Sequence, residues 1–367
     1  MALAIYRKYR PTTFEDLLGQ EITVRILKEA ARQDKLAHAY LFAGPRGTGK
    51  TTTARLVAKI ANCEKRASDK KFKEIGEPCN LCAACKAIDE GRALDVIEID
   101  AATNRGIDEI RELKENIRVA PSLLRYKVFI IDEAHQLTKE GSNALLKTLE
   151  EPPAHALLIL ATTDPEKLLA TIVSRTQQFY FKRAPVGQIA IKLKRIAQKE
   201  KVEITPDALE LVASSAEGSF RDAESLFDQL IAFGDQRITL SDVESMIGKV
   251  GFDTLSAFAE LLFRKKMPEA IHELSRIFDG GHNIVQFTKD LIEYVRRVAV
   301  LKYNPRMVEM FKNELMEEHI GKMIEHAKLF TDAHLTLLKS LIHAYSQMRY
   351  SQFPIIPLEV AIIETLK

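Results

Sequence analysis

The chain has 367 residues, more than one compact core usually holds, so two or three domains are expected. Apolar residues make up 46% and charged residues 28%, a balance that excludes wholesale disorder, and a formal net charge of +2 excludes a strongly basic surface over the whole molecule, so any nucleic-acid contact must be local. No stretch approaches the ~20 apolar residues of a membrane span, and the opening residues Met1–Lys8 lack the apolar run and cleavage site of a secretory signal, which points to the cytoplasm and away from a membrane partner.

The first strand candidate is Ala39–Ala43. It runs into Gly44-Pro45-Arg46-Gly47-Thr48-Gly49-Lys50-Thr51, which fits G-x-x-x-x-G-K-[ST], and a helical run follows over Thr52–Ile60. A strand before and a helix after are the context in which this motif cradles phosphates. Its glycines let backbone N–H groups curl around the phosphates, and the helix N-terminus adds positive dipole. Lys50 is placed to reach the β- and γ-phosphates of ATP, and the Thr51 hydroxyl to ligate Mg²⁺. A chance glycine turn is the competing reading; the flanking strand and helix weigh against it.

All four cysteines come next, between Cys63 and Cys85. Cys79, Cys82 and Cys85 are spaced C-x₂-C-x₂-C, with Cys63 as a distant fourth. In a reducing compartment such clustering argues for metal ligands rather than disulfides. Four thiolates suit tetrahedral Zn²⁺ and leave no open position for a substrate, so the role read here is structural: a clip on a charged insertion. Free thiols or a redox pair are the alternative.

Further strand candidates follow at Asp95–Asp100, Lys127–Ile131, Leu157–Ala161 and Gln178–Phe181. Short, near-continuous apolar strands separated by helices imply a parallel sheet covered on both faces. The run Val128–Ile131 ends in Asp132-Glu133. Strand C-terminal ends face the ligand crevice of open α/β sheets. Asp132 is therefore placed to hold Mg²⁺ through water, and Glu133 to polarise an attacking water. The plainer reading is that the acids merely end a strand and cap a helix. After about Arg183 the strand runs stop. Thr205-Pro206-Asp207 reads as a helix start with Pro at the first helical position, and Ser241-Asp242-Val243-Glu244 as a capping box. Gly248–Asp253 breaks the pattern before a long helical block, Thr254–Lys367.

Several motifs now carry a resemblance. Arg7-Lys8-Tyr9-Arg10-Pro11-Thr12-Thr13-Phe14 with Gly19-Gln20-Glu21, the phosphate loop, the cysteine insertion, Ile130–His135, Ala144–Pro153, Leu160–Leu168 and Ser174-Arg175 occur in the order found in AAA+ clamp-loader subunits of the bacterial DNA polymerase III gamma/tau family. The match covers roughly residues 1–250; the helical remainder fits by position and type. The resemblance implies a RecA-like α/β AAA+ domain with a parallel five-stranded sheet (about 1–183, zinc insertion 63–85). An all-helical lid (about 184–247) and an all-helical, oligomer-forming collar (about 248–367) would follow.

It also implies the rest of an ATP site. Arg10 and Pro11 would lie near the adenine, Thr163 at the γ-phosphate sensor position and Arg221 at the sensor of the lid. Arg175 would be a finger that completes the ATP site of a neighbouring subunit. The family usually has Ser-Arg-Cys where this chain has Ser174-Arg175-Thr176; the arginine is kept. Each arginine also has a bland reading, as a surface cation with a snorkelling stem.

The family threads primer–template DNA through a spiral of subunits and contacts its phosphates. Candidates here are Thr103, Asn104, Arg105, Arg111, Lys139 and Lys167, with ordinary solvated charge as the alternative. The implied partners are delta- and delta-prime-like subunits, copies of this chain, the beta sliding clamp and primed DNA. The implied cofactors are ATP, Mg²⁺ and structural Zn²⁺. Two rivals are another DNA-associated AAA+ motor, which would leave the cysteine cluster unexplained, and a nucleotide-holding scaffold without hydrolysis, against which Glu133 and the intact Lys50-Thr51 speak. No polymerase catalytic site is visible. Longer forms in the family carry further C-terminal segments.

Overall fold

The computed structural model describes residues 3–103, 113, 115–232, 237–311, 315, 317–348 and 350–367. The chain divides into two compact units. One runs through Ala184 and includes Gly218–Asp222; the other comprises Pro185–Glu217 and Ala223–Lys367.

The first unit is built on a sheet of β1 (Ala39–Ala43), β2 (Val96–Asp100), β3 (Lys127–Asp132), β4 (Ala156–Thr162) and β5 (Gln177–Tyr180). The order is β2-β3-β4-β1-β5 and every pairing is parallel. Sequence character sorts strands to positions. β1 and β4 are buried throughout, and β3 in all but its last residue. These apolar runs occupy the middle, where both faces must be covered. The more polar β2 and β5 form the edges, with Glu98, Gln177 and Gln178 partly or fully in solvent.

Side chains alternate between two cores, as the strand period of two demands. Tyr40, Phe42, Val128, Ile130 and Ile159 pack with Leu27, Val57 and Ile60 from the helices Glu21–Arg32 and Lys50–Asn62. Leu41, Phe129, Ile131, Leu158 and Leu160 pack on the other face with Leu145, Leu149 and Ile172 from the helices Lys139–Glu150 and Ala170–Val173.

Strand positions agree with the sequence reading to within a residue or so. The helix after the phosphate loop begins at Lys50 rather than Thr52. Asp95, read as the first residue of its strand, instead turns its carboxylate to the backbone N–H groups of Ser122, Leu123 and Leu124 at 2.7, 2.8 and 2.9 Å. Burial pushes this carboxyl up, but the three donors, helped by Lys127, outweigh it and hold it below the usual range.

The second unit is mostly helical. Pro206 is the first residue of the helix Pro206–Ser215, as expected. The expected cap at Ser241 lies two residues earlier: the helix is Leu240–Ile247, and Asp242 accepts from the Thr239 N–H and hydroxyl at 2.7 and 2.6 Å. Glu244 does not cap the helix start; it accepts the Gly251 N–H beyond the helix end at 2.7 Å. A parallel pair of two-residue strands, Glu203–Ile204 with Arg237–Ile238, adds to the expected helices. Short pairs like this carry too little periodicity to be read from sequence. The helices Phe252–Phe263, Ile284–Tyr303, Ala333–Met348 and Ile355–Leu366 share one core around Phe258, Leu291, Leu341 and Leu358. Among the described residues, no helix is long and apolar enough to cross a membrane.

Candidate nucleotide and metal sites

Because all pairings are parallel and β4 lies between β1 and β3, the loops after these three strands emerge at one edge of the sheet. Thus Gly44–Thr51 after β1, Asp132-Glu133 at the end of β3 and Thr163 after β4 meet there. The phosphate loop depends on its glycines. At Gly44 (φ +149°) a Cβ would lie 2.4 Å from the Phe181 carbonyl oxygen, and at Gly47 (φ +73°) 1.8 Å from the Ser219 hydroxyl. No other residue fits this path. Thr48 donates to the Pro45 carbonyl at 2.8 Å, and Arg46 is exposed. Gly49 caps the helix Lys50–Asn62 in the left-handed region. This helix therefore opens directly on the loop, with N–H groups and dipole oriented to suit an anion.

Lys50 is only 6% exposed, and its ammonium donates to the carbonyls of Gly44 and Pro45 at 2.7 and 2.8 Å. Burial lowers its pKa, and Glu133 and Asp132 pull the other way. The Thr51 hydroxyl donates to Asp132 Oδ2 at 2.7 Å, bringing a motif threonine and a strand-end carboxylate together across 81 residues of chain. Asp132 Oδ1 accepts the Glu133 N–H at 3.0 Å, and Glu133 Oε2 accepts from the Thr163 hydroxyl at 3.1 Å. Glu133 itself sits at φ 49°, ψ 44°, a left-handed conformation sparsely used by residues other than glycine.

One member of this group escaped the sequence reading. The His135 side chain is 5% exposed, with Nδ1 3.0 Å from Thr162 Oγ1 and 3.5 Å from Glu133 Oε2, and Nε2 3.5 Å from Asp164 Oδ2. It bridges the ends of β3 and β4. Its signal was present two residues after the acid pair. This arrangement can hold a divalent cation through Thr51 and Asp132, and can present a carboxylate, Glu133, to a water beside it.

A second positive cluster lies in the same unit. The Arg221 guanidinium is 5.1 Å from the centre of the Tyr6 ring. Arg10 is depressed first by burial and then by Arg55, with Glu98 opposing and Arg7 and Arg221 adding to the depression. Arg55 already holds Glu98 in a bidentate pair at 2.5 and 2.6 Å. Arg221 is thus the last and smallest of the cations acting on Arg10, and Glu98 is the carboxylate that opposes them. Pro11, beside Arg10, is half-buried.

Arg175 is placed differently. It precedes β5, at the N-terminal edge of the sheet, whereas the phosphate loop lies at the C-terminal edge. Its guanidinium donates to the Thr171 carbonyl at 2.9 Å and to Glu150 at 2.7 Å. Thr176, which stands where the family has Cys, donates to the Val173 carbonyl at 3.0 Å and keeps this turn closed. Among the candidate DNA contacts, Thr103 donates to the Asp100 carbonyl at 3.1 Å, Lys139 is exposed at the start of the helix Lys139–Glu150, and Lys167 pairs with Asp164 at 3.2 Å. Asn104, Arg105 and Arg111 lie outside the described residues.

The four cysteine sulfurs converge within 4.8 Å of one another. Tetrahedral Zn²⁺ with Zn–S near 2.3 Å needs sulfurs about 3.8 Å apart, so the cage is close to the size required. Backbone N–H groups already point at the sulfurs: Cys79 to Cys63 at 3.4 Å, Cys82 to Cys79 at 3.3 Å and Cys85 to Cys82 at 3.5 Å. A hydrogen bond from Cys85, with further donors from the backbone, brings the Cys63 thiol down to about 4, while Cys85 is pushed up by the same pairing. Stabilisation of a thiolate here suits a cation.

This geometry, a phosphate loop and an acid pair flanking a central strand of a β2-β3-β4-β1-β5 sheet, defines a nucleotide-binding fold of the AAA+ class. Three family models match in tandem. Residues 19–185 match "DNA polymerase III, delta subunit", residues 188–236 the "DNA polymerase III clamp loader subunit, ATPase lid domain", and residues 238–367 "DNA polymerase III subunits gamma and tau domain III". The chain belongs to the clamp-loader family of DNA polymerase III gamma and tau subunits. It is 40% identical over 361 residues to the tau subunit of Bacillus subtilis, covering 98% of this chain and 62% of that protein. It is 40% identical over 320 residues to the tau subunit of Escherichia coli, covering 87% of this chain and 49% of that protein. To the gamma/tau subunit of Mycobacterium tuberculosis it is 36% identical over 362 residues, with 98% and 61% covered. The chain thus spans only about half to three fifths of the length of these relatives. A solved structure of the RuvB branch migration motor of Thermotoga maritima aligns at 22% identity over 65% of this chain and 73% of its own, with a TM-score of 0.47, too distant to bear on function.

Proposed function

We propose that this chain is an ATP-hydrolysing motor subunit of a cytoplasmic DNA polymerase III clamp loader. Its domains are the ATPase (1–183), the lid (184–247) and the collar (248–367). The contact chain Thr51–Asp132–Glu133–Thr163 at the mouth of the phosphate loop carries this reading. In it the N–H groups of Gly44–Thr51 and the Lys50 ammonium bind the phosphates. Thr51 and Asp132 hold Mg²⁺, which when bound neutralises phosphate charge. Glu133 orients the attacking water, and Thr163 exchanges its carboxylate partner for a phosphate oxygen. Arg10 and Pro11 receive the base, and Arg221 answers the phosphates with a charge-assisted fork.

Arg175 lies at the wrong edge of the sheet to serve this site, so it completes the site of a neighbouring subunit. Hydrolysis then requires assembly, with delta- and delta-prime-like subunits and further copies of this chain as neighbours. The cysteines hold structural Zn²⁺. Nucleotide binding favours the state that engages and opens the sliding clamp; primed DNA triggers hydrolysis and release. Thr103, Asn104, Arg105, Arg111, Lys139 and Lys167 are the proposed phosphate contacts to DNA.

The test is steady-state ATPase of the pure chain, alone and then with loader partners, clamp and primed DNA. The reading expects a low basal rate that rises at least about tenfold with the full mixture, a floor well below the ~10³-fold or more that an added arginine finger supplies elsewhere. A rate indifferent to clamp and primed DNA would reduce the chain to a generic AAA+ ATPase.

A further inference from the structure

The cysteine-bearing segment carries two anchors that the proposed mechanism leaves unused. Glu77, two residues before Cys79, is 6% exposed. Its Oε2 accepts the Phe14 N–H at 2.8 Å; its Oε1 accepts the Glu15 N–H at 3.2 Å and lies 3.0 Å from Lys28 Nζ. Asp89 ends the helix Ala83–Asp89 that starts beside Cys82. Both its oxygens accept from Lys59, at 2.8 and 2.7 Å. The Lys59 side chain is fully buried, belongs to the helix that opens on the phosphate loop, and also donates to the Thr12 carbonyl at 3.2 Å.

The two flanks of the cysteine segment therefore converge on residues 12–15, directly after Arg10-Pro11. A buried carboxylate and a buried ammonium are costly unless paired and hydrogen-bonded. Release of Glu77 would strand the buried Phe14 N–H, and release of Asp89 would leave the buried Lys59 ammonium without its carboxylate, so the backbone of Thr12–Glu15 is held wherever the cysteine segment is held. Cysteines 79, 82 and 85 lie between the anchors, and a metal drawing them onto Cys63 would set the distance from Glu77 to Asp89.

We propose that Glu77 and the Lys59–Asp89 pair are positioning residues for nucleotide binding, through which the cysteine site and the Arg10-Pro11 segment are coupled. Metal in the cysteine cage strengthens nucleotide binding, and nucleotide retains metal by the same factor, since such linkage is reciprocal. The inference rests on the reading of Arg10 and Pro11 as nucleotide contacts.

The experiment uses the full chain loaded with Zn²⁺ and a fluorescent ATP analogue. Chelation of the zinc is expected to weaken analogue binding about fivefold or more, the lower end of ordinary coupling, and to speed amide exchange at Phe14 and Glu15. Glu77→Gln and Asp89→Asn keep all four cysteines; each should retain zinc, weaken analogue binding by several-fold and show the same faster exchange. In the reciprocal arm, ATP should slow zinc transfer to a chromogenic chelator in the parent chain but not in Lys50→Ala. If the zinc-loaded parent binds no analogue, the nucleotide-site reading itself fails. If it binds, and affinity is unchanged in Glu77→Gln and Asp89→Asn that unfold at the parental temperature, the coupling is overturned. Should the stripped chain unfold, the zinc-retaining variants decide the matter.

Discussion

The two edges of the sheet in the first unit are built differently. At the C-terminal edge Thr51, Asp132, Glu133 and Thr163 are part-buried and joined by hydrogen bonds of 2.7–3.1 Å, and the buried Lys50 ammonium is held beside them by the Gly44 and Pro45 carbonyls. At the N-terminal edge Arg175 is more open, its side chain 34% exposed, and is tethered to Glu150, itself 49% exposed. One edge is a closed network that can organise a ligand by itself. The other presents a cation whose only acidic partner among the described residues is a half-exposed carboxylate, and such pairs are weak enough to exchange. Under the proposed function this contrast corresponds to divided chemistry, in which each chain owns a site and lends an arginine.

The largest effect that tests this division is expected from Arg175→Ala. It should lower ATPase in the assembled loader by about a thousandfold while leaving the affinity of the isolated chain for ATP unchanged, as read by equilibrium binding. A drop in the isolated chain's affinity would erase the distinction between the edges. Glu133→Gln should follow, with turnover down by about a hundredfold or more and nucleotide still bound, since Lys50 and Thr51 remain. Rapid-quench measurement of the chemical step separates this loss from slow product release.

A third prediction concerns stability rather than rate. Asp95→Ala strands three backbone N–H groups and should cost about 3 kcal/mol, measured by urea unfolding. The Asp95 carboxyl is held below the ordinary carboxylate range in the folded chain, so its contribution is fully present above that range and is lost as pH falls through the folded value. The stability gap between the parent and Asp95→Ala should therefore narrow on acidification below about pH 4. The smallest effect is expected at Glu150→Ala. Freeing Arg175 from its tether should change the assembled rate by no more than about threefold, the scale of an exposed pair.

The same two edges explain what the sequence could reveal. The phosphate loop and the acid pair were legible because each is a local pattern: a glycine-spaced turn after one apolar strand, two carboxylates after another. Their meeting across 81 residues follows from strand order, which parallel runs and helices imply but do not fix. His135 was passed over because its role appears only when β3 and β4 are neighbours and Thr162 faces its ring. Glu77, Lys59 and Asp89 were not singled out, since nothing local distinguishes a buried carboxylate two residues before a cysteine from an exposed one. In the second unit Ser241–Glu244 was read as a capping box; the box is formed two residues earlier by Thr239 and Asp242, and Glu244 closes the turn to Gly251 instead. Helix patterns there gave element type but not the short strand pair, whose two residues per strand carry no period.

The most direct test of the divided site mixes two variants. Glu133→Gln keeps its arginine and Arg175→Ala keeps its acid, and each alone should leave the assembled loader nearly inactive. Mixed in equal amounts, about one interface in four joins an intact site to an intact finger if neighbours pair at random. The account predicts recovery of steady-state ATPase toward that fraction of the parental rate. A mixture that stays as inactive as its components, or an Arg175→Ala loader that hydrolyses ATP at the parental rate, would contradict it.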